Sequence, residues 1–444
     1  MKTLQTHNDV VKTKPATSDE QQCDILIIGG GPAGSTAAAL IADRGGDVVL
    51  VEKDSHPRFH IGESLLPRNL AVFERLGVRD KIASIGVLKP GAEFVSDETG
   101  KSVLFNFALG LDQDYTHSYQ VRRADFDEAL FANARAKGAR TFERTRVTEV
   151  VFGTNGARAQ VSTIDSSGQP HVFAPRLVLD ASGRDTFLAD KFRVKESNKR
   201  NSSAAVFGHF RNVEFRTGDM AGYITVHLVK DGWFWMIPLP GDIMSVGFVG
   251  NQTAFKARHA SMKEFFFDKM HESPTVSARM PKAELVSEVI ATGNYSYRAS
   301  SGCGEGFFMI GDAFGFIDPV FSSGVLLAMT SGEIGAEIAM RWLDDPKAGL
   351  ALARKAERRM RASMEKIGWL IYRINHPVLR SMFMAPSDRF RMRAGLVAIL
   401  AGNLQRGWRY SAPLLAFKSA FYALSVAYRF GFRLQSLGPD AVVE

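Results

Sequence analysis

Residues 24–34 read Asp-Ile-Leu-Ile-Ile-Gly-Gly-Gly-Pro-Ala-Gly, and the order of residue types there decides the fold. Asp24 to Ile28 is apolar and β-branched after its first residue, the pattern of a buried strand. It runs into a glycine turn at Gly29–Gly31. A helix of small residues follows from about Ala33 to Asp43, and a second strand from about Val48 to Glu52. The three pieces make one βαβ unit of about 30 residues. Gly29, Gly31 and Gly34 spell G-x-G-x-x-G between the strand and the helix. The first glycine permits the tight turn, the second lets the backbone approach a pyrophosphate, and the third lets helix and strand pack closely. Free N–H groups and the dipole at the helix start favour the anion. Glu52 ends the second strand 21 residues after Gly31, where a carboxylate can bind the ribose hydroxyls of an adenosine. Lys53, beside it, is taken as a further cofactor contact.

That unit alone does not choose between a nicotinamide and a flavin dinucleotide. Two later motifs do. Asp180-Ala181-Ser182-Gly183-Arg184 follows a predicted strand, and Gly311-Asp312-Ala313 follows another far downstream. Asp180, Gly183, Gly311 and Asp312 are candidate cofactor residues, with Asp312 placed to hold a ribityl hydroxyl. With these motifs in this order, the chain from Asp24 onward resembles the FAD-binding superfamily of aromatic hydroxylases, geranylgeranyl reductases and flavin-dependent halogenases. The resemblance implies an α/β fold: a Rossmann-like FAD-binding domain (GR2/PHBH-type), an antiparallel-sheet substrate domain and a C-terminal helical region. It also matches Val121-Arg122-Arg123-Ala124-Asp125-Phe126-Asp127 to the V-x-R-x-x-F-D element, whose arginine, here Arg123, lies near the flavin.

Composition sets the outer bounds. The chain has 444 residues, 45% hydrophobic and 23% charged, which suits two or three regions around a large core. Its two cysteines, Cys23 and Cys303, give no disulfide framework and no CxxC metal site, and a cytoplasmic protein is the expectation. Met1 to about Gln22 is polar, without the apolar segment of a secretory signal, and reads as a flexible tail. No stretch reaches the length of a membrane span. Ala412 to Phe432 comes nearest but carries Lys418 and Arg429. The net charge of +8 is uneven: Arg341 to Glu444 holds 18 Lys and Arg against 7 Asp and Glu, an excess of 11, so the remainder carries −3.

The further elements are expected as follows. A helix covers Leu70 to Leu76, short strands lie between Gly91 and Phe107, and Phe126 to Lys137 is helical. Thr145–Val161 and His171–Leu179 alternate like meander strands. Ala204 to Gly250, rich in Phe, Val and Trp, reads as an antiparallel sheet forming the wall of a substrate pocket. Phe307 to Ile310 is a short buried strand, and helices dominate from about Val325 onward. The FAD-binding domain is assigned to 23–90, 140–190 and 300–345. The substrate sheet is assigned to 91–139 and 191–299, and a helical cap to 346–444.

Three elements resemble the halogenases within that superfamily, of the phenol and pyrrole type. Trp233-Phe234-Trp235-Met236-Ile237-Pro238 matches W-x-W-x-I-P. Phe316-Ile317-Asp318-Pro319-Val320-Phe321-Ser322-Ser323-Gly324 matches F-x-x-P-x-x-S-x-G. Lys89, in Leu88-Lys89-Pro90-Gly91, stands where such halogenases carry their reactive lysine. The resemblance implies halide binding by Ser323 and Gly324, whose amides precede a predicted helix. It implies a pocket lined by Trp233, Trp235, Phe316, Phe321 and Ser322, and a flavin contact at Pro319. The oxidant would pass through a closed passage to Lys89. FAD in its reduced form, a chloride or bromide ion and O₂ are the implied cofactors and co-substrates. A second dinucleotide motif is missing, since Gly302-Cys303-Gly304-Glu305-Gly306 precedes a strand. Reduced flavin is therefore expected to arrive from elsewhere, with a separate NAD(P)H-flavin reductase as the expected partner, or NAD(P)H to bind transiently. Tryptophan-type halogenases carry a Glu where this chain has Phe321. The expected substrate is thus an intrinsically activated phenol or pyrrole rather than free tryptophan. The basic C-terminal excess fits either docking of an acidic acyl-carrier protein that presents a tethered substrate or solvated helix faces. Nucleic acid and membrane are not expected partners. Two other readings stay open: an FAD-dependent hydroxylase or reductase using NAD(P)H, and a non-catalytic flavoprotein scaffold.

Overall fold

The computed structural model describes residues 20–154, 156–198, 203–256, 258–293, 296–374, 376–403 and 408–431. The chain opens with β1 (Glu20–Ile28), α1 (Pro32–Ala42) and β2 (Val48–Val51). A long connection leads to α2 (Asn69–Leu76), then β3 (Gly86–Lys89), β4 (Gly91–Ser96) and β5 (Ser102–Asn106). Next come β6 (Ser118–Val121), α3 (Arg123–Ala136), β7 (Arg140–Phe142) and a meander of β8 (Thr145–Val151), β9 (Gln160–Asp165) and β10 (Pro170–Asp180). Four long strands follow: β11 (Ser203–Arg211), β12 (Ile224–Val229), β13 (Gly232–Leu239) and β14 (Ile243–Asn251). The chain then runs through β15 (Phe307–Met309) into α4 (Gly324–Asp344), α5 (Pro346–Ile371), α6 (Pro377–Met384), α7 (Met392–Leu400) and α8 (Trp408–Arg429). Shorter helices and strands join these elements.

Two large sheets organise the molecule. In the first, β15, β10, β1, β2 and β7 lie side by side and parallel, and the antiparallel β9 and β8 continue from β10. Near-continuous apolar runs such as Ile25–Ile28 and Val48–Val51 fit a sheet covered on both faces. In the second sheet the order is β11, β14, β13, β12, β4, β5. All its neighbours are antiparallel except β12 and β4. Its strands alternate between two cores. Trp233, Trp235 and Ile237 face one with Val378, Leu379, Phe383 and Leu396 of the C-terminal helices. Phe234 and Met236 face the other. The C-terminal helices therefore close one face of the substrate sheet.

Three boundaries differ from the sequence reading. The tail expected over 1–22 lies outside the described residues up to 19, but Glu20, Gln21 and Gln22 already pair with β10. Helix α3, expected with the substrate sheet, packs against the glycine turn: a Cβ on Gly30 would lie 2.7 Å from the Phe131 ring. Strands β3 and β6 form their own antiparallel ladder. Alternation alone cannot assign a strand to one sheet or another, because every half-buried strand alternates alike.

Small residues fix how closely the parallel sheet and its helices approach. Gly29 has φ +102°, and a Cβ there would sit 2.4 Å from the Ala181 carbonyl oxygen. A Cβ on Gly34 would lie 1.9 Å from the Gly29 oxygen, and one on Gly332 of α4 would lie 2.5 Å from the Ala33 oxygen. Gly34→Ala forces α1 away from the turn. The expected cost is about 1–3 kcal/mol or more, as for overpacking elsewhere, read as a clear drop in thermal midpoint with or without added FAD.

Candidate active site

A cavity of about 390 Å³ starts at the glycine turn and ends against the second sheet. Gly29, Gly31, Glu52, Lys53, Arg123, Gly183 and Asp312 border one part of it; Trp233, Trp235, Phe316, Ser322 and Gly324 border the other. Most of the sequence-predicted site residues are thus brought to one space, although they lie up to about three hundred positions apart in the chain.

The dinucleotide end is built on the turn. Glu52 accepts from the Gly30 backbone N–H through Oε2 at 2.7 Å and from the Asp54 N–H through Oε1 at 2.9 Å. Arg58 lies 3.5 Å from the same carboxylate and 3.6 Å from Asp127. Arg123 donates to both Asp127 oxygens, at 2.7 and 2.9 Å, and to the Ile61 carbonyl at 2.6 Å. Burial would raise the Asp127 pKa, but the charge and hydrogen bonds of Arg123 outweigh it and hold the group below its ordinary value. Asp312 is half-buried, and desolvation pushes its carboxyl up to about 6 despite the opposing charges of Arg123 and Arg184.

These residues fit FAD. Gly31 has φ −73°, and the nearest atom to a Cβ built on it is Arg58 Nη2 at 3.8 Å. The Gly31 side of the turn is therefore open while the Gly29, Gly30 and Gly34 sides are filled. Lys53, Arg58, Arg123 and Arg184 surround the same space, as an anionic pyrophosphate requires. The half-buried Asp312 carboxyl group borders it as an acceptor for hydroxyls.

Other predicted residues stand elsewhere. Asp180 does not border the cavity. Its oxygens accept from the N–H groups of Ser182 and Leu188 at 2.9 and 2.7 Å, so it shapes the turn that presents Ser182 and Gly183. Gly34 and Gly311 (φ +60°) are packing positions, the latter against Ala33. Pro319 opens a 3-10 turn, Pro319–Phe321.

The far wall is rigid. Trp235 donates from Nε1 to Ser245 Oγ at 3.1 Å, and its ring occupies the space a side chain on Gly247, its register partner, would need. Trp233 and Trp235 pack with ring centroids 5.9 Å apart. Phe321, expected in the pocket lining, lies instead in an aromatic cluster with Phe94 and Phe383; the cavity takes Val320 in its place. Ser322 has φ +56°, which turns the chain into α4. Ser323 is the N-cap residue of α4, makes no side-chain capping bond, and its buried Oγ has no partner. Gly324 borders the cavity and Ser323 does not.

Lys89 is 1% exposed. Its Nζ donates to Ser64 Oγ and to the Leu65 carbonyl, both at 2.8 Å, and lies 5.4 Å from the centroid of the Phe107 ring. Burial lowers its pKa to about 7. Lys89 does not itself border the cofactor cavity. The cavity stops at Glu63 and Ser64, and Lys89 lies behind Ser64.

The segment 58–64 is the part of the site that sequence reading missed. Arg58, Phe59, His60, Ile61, Gly62, Glu63 and Ser64 all border the cavity. Buried Glu63 bonds His209 of β11 at 2.8 Å through Oε1. His60 is half-buried, and desolvation together with the charge of Arg123 lowers it to about 4. The segment has no helical or strand period. Its one signal is a cluster of ionisable residues directly after the acidic end of β2.

Comparison with known proteins follows this geometry. Residues 22–362 match the family model described as FAD binding domain. A tryptophan 2-halogenase of Chondromyces crocatus is 36% identical over 316 residues, covering 70% of this chain and 60% of that protein. A pyrrole-2-carbonyl peptidyl-carrier-protein chlorinase of Pseudomonas fluorescens is 31% identical over 339 residues, 70% of this chain and 74% of that one. Among solved structures, a flavoprotein/dehydrogenase from Cytophaga hutchinsonii superposes with a TM-score of 0.83 at 27% identity, over 93% of this chain and 100% of that one. The myxobacterial chondrochloren halogenase CndH gives 0.75 at 27% identity, over 88% and 99%.

Gly31→Val separates binding from folding. The open space and ordinary φ leave the fold intact, while the added methyls occupy the approach of the pyrophosphate. FAD binding, followed by flavin fluorescence, is expected to weaken at least about ten-fold, with the thermal midpoint of the flavin-free protein unchanged.

Proposed function

This chain belongs to the flavin-dependent halogenases of the FAD-binding superfamily, and from that premise we propose that it chlorinates or brominates an electron-rich aromatic ring, a phenol or a pyrrole, through Lys89. The observation that carries the reading is the state of that lysine. It is buried without a carboxylate partner, hydrogen-bonded to neutral oxygens, and its pKa is lowered to about 7.

When bound, reduced FAD with O₂ supplies the two-electron oxidation of halide to hypohalous acid. The chain's own residues do the rest. The Gly31 face of the turn, Lys53, Arg58 and Arg123 bind the pyrophosphate, and Asp312 accepts from a hydroxyl of the flavin chain. The first amides of α4, with the unpartnered Ser323 Oγ, hold the halide, because the first N–H groups of a helix lack intrahelical acceptors. Trp233 and Trp235 exclude water and keep the aromatic substrate from the cofactor space.

At Lys89 the two protonation states do different work. The ammonium hydrogen-bonds the hypohalous acid. The neutral amine reacts with it: an N–X bond forms, the O–X bond breaks, and water leaves. The haloamine then passes its halogen to a ring carbon, the ring proton returns to nitrogen, and the amine is restored. Phe321 offers no base for that proton, which favours a substrate activated by its own hydroxyl or ring nitrogen. The pyrrole chlorinase named above acts on a carrier-bound pyrrole. By analogy, the basic excess between Arg341 and Glu444 is suited to docking an acidic carrier domain. The tryptophan 2-halogenase among the relatives supports an indole as the second substrate class. Reduced flavin reaches the site from a separate NAD(P)H-flavin reductase.

Mass spectrometry of reactions fed chemically reduced FAD, O₂, bromide or chloride, and a panel of phenols, pyrroles and indoles tests the reading; products identical with and without halide would refute it. Lys89→Ala should abolish halogenation while flavin reoxidation continues. The neutral amine is the fraction above the lysine pKa, so the halogenation rate should rise with pH and reach half its plateau near pH 7. A rate that falls through that window would assign the chemistry to the ammonium instead.

A further inference from the structure

Ser64, Lys89, Ser118 and Gln120 sit on one face of a three-strand patch formed by β3, β6 and the segment before α2. Lys89 pairs with Ser118 in the β3–β6 ladder. Ser64 pairs with Gln120 in an isolated antiparallel bridge. Directly opposed residues share a face, and so do residues two apart on one strand. The bonds Val121 N–H to Glu63 carbonyl and Leu65 N–H to Tyr119 carbonyl flank the bridge. That makes Ser64 and Gln120 the closer, non-hydrogen-bonded kind of pair. The contact of Lys89 Nζ with Ser64 Oγ agrees with this arrangement.

Two polar atoms on that face have no partner. Ser118 and Gln120 are both 0% exposed, and neither Ser118 Oγ nor Gln120 Oε1 has a hydrogen bond. The Gln120 amide is fixed by its other end, which donates to the Gly222 carbonyl at 3.2 Å. A buried polar group left unmet is costly, and native interiors meet it with protein or ordered water. Two such atoms beside a lysine whose ammonium has a third N–H to give describe a niche for a small polar guest. The guest must both donate and accept, and it must be only a few atoms in size. The entrance is at Ser64, which borders both the niche and the cofactor cavity.

We propose that Ser118 and Gln120 complete, with Lys89 and Ser64, a closed niche that holds hypohalous acid between its formation and its use. In turnover the acid's O–H donates to Gln120 Oε1, and its oxygen accepts from Ser118 Oγ–H and Lys89 Nζ. No covalent step is assigned to Ser118 or Gln120. Their effect is retention: an acid held on three sides does not diffuse back past Ser64. The proposal rests on the halogenase reading above and adds to it two residues outside the halogenase motifs.

The test measures where the oxidising equivalents go. Full-length enzyme with FAD, a flavin reductase, NADH, O₂ and bromide is given an aromatic substrate it accepts, with and without an excess of a soluble thioether that scavenges free hypobromous acid. Brominated product and oxidised thioether are both quantified against flavin reoxidised. The wild type should yield product that the scavenger barely reduces. Ser118→Ala and Gln120→Met should reoxidise flavin at the wild-type rate and bind FAD with wild-type affinity. Their product per flavin should fall about ten-fold for one lost buried hydrogen bond, with the missing equivalents recovered as oxidised thioether. Ser118→Ala removes one small atom group and serves if Gln120→Met does not fold. Variants that match the wild type in product yield and scavenger resistance would overturn the niche and leave the halogenase reading standing. So would a wild type whose product is wholly lost to the scavenger. A wild type that makes neither brominated product nor oxidised thioether would overturn the halogenase reading, and the niche with it.

Discussion

The site depends on one steric constraint: three positions where backbone must meet backbone. Gly29 against the Ala181 carbonyl, Gly34 against the Gly29 carbonyl and Gly332 against the Ala33 carbonyl leave no room for a Cβ. They wedge α1 between the phosphate turn and α4. The consequence reaches beyond the turn. Helix α4 begins at Gly324 and touches α1 at Gly332, eight residues later, or about 12 Å at 1.5 Å per residue. The distance from the pyrophosphate approach to the start of α4 is thus set by a contact between two helices. Ser322 and Gly324 are thereby held at a set place on the border of the cavity that the glycine turn opens.

Electrostatics divide the site into two kinds of cation. Arg58 and Arg123 are paired with Glu52 and Asp127, and guanidinium groups stay charged when buried. They supply permanent positive charge toward an anion. Among the described residues Lys89 makes no ion pair with a carboxylate. Its hydrogen bonds go to a hydroxyl and a carbonyl, and burial alone moves its pKa to about 7. An amine so placed exchanges a proton at neutral pH and offers a lone pair, which no paired arginine does. The same chemical class of side chain therefore binds in one half of the site and can react in the other, and the difference lies in whether a carboxylate was built beside it.

Much of this was legible in the sequence, and the reasons divide cleanly. The βαβ unit was readable because a strand of apolar residues, a glycine turn and a helix of small residues leave no other local solution. The indole pair was readable as one face of a strand because the strand period is two. The surroundings of Asp180 were not legible, because a sequence motif gives a carboxylate's position but not its partners, and here two backbone N–H groups claim it. Those of Phe321 were not legible either, because its neighbours Phe94 and Phe383 come from a distant strand and a distant helix that no spacing rule links. The segment 58–64 was missed because it has no period at all. Its place in the site follows from Arg123 holding the Ile61 carbonyl and from Glu63 reaching His209, and both contacts bridge more than sixty residues. Ser118 and Gln120 could be found only once register was known, since their meaning comes from what stands opposite them.

A pinned wall and a polar opening amount to a filter by size and polarity. Trp235 cannot swing, because Ser245 holds its N–H and the missing side chain of Gly247 is what makes room for its ring. Trp233 leans on it. Both line the cofactor cavity on the side of the second sheet. The boundary on the other side consists of Glu63 and Ser64, and one of the two Glu63 oxygens is buried with no partner. In the proposed relay an acid of two heavy atoms would exchange hydrogen bonds along that boundary by rotation of a serine hydroxyl, and a ring would not follow it. Oxygen transfer to carbon needs the ring at the flavin, whereas halogen relay needs only that the smaller species travel. Which chemistry such a scaffold performs is then decided by what its walls let pass, before any difference in the cofactor is invoked.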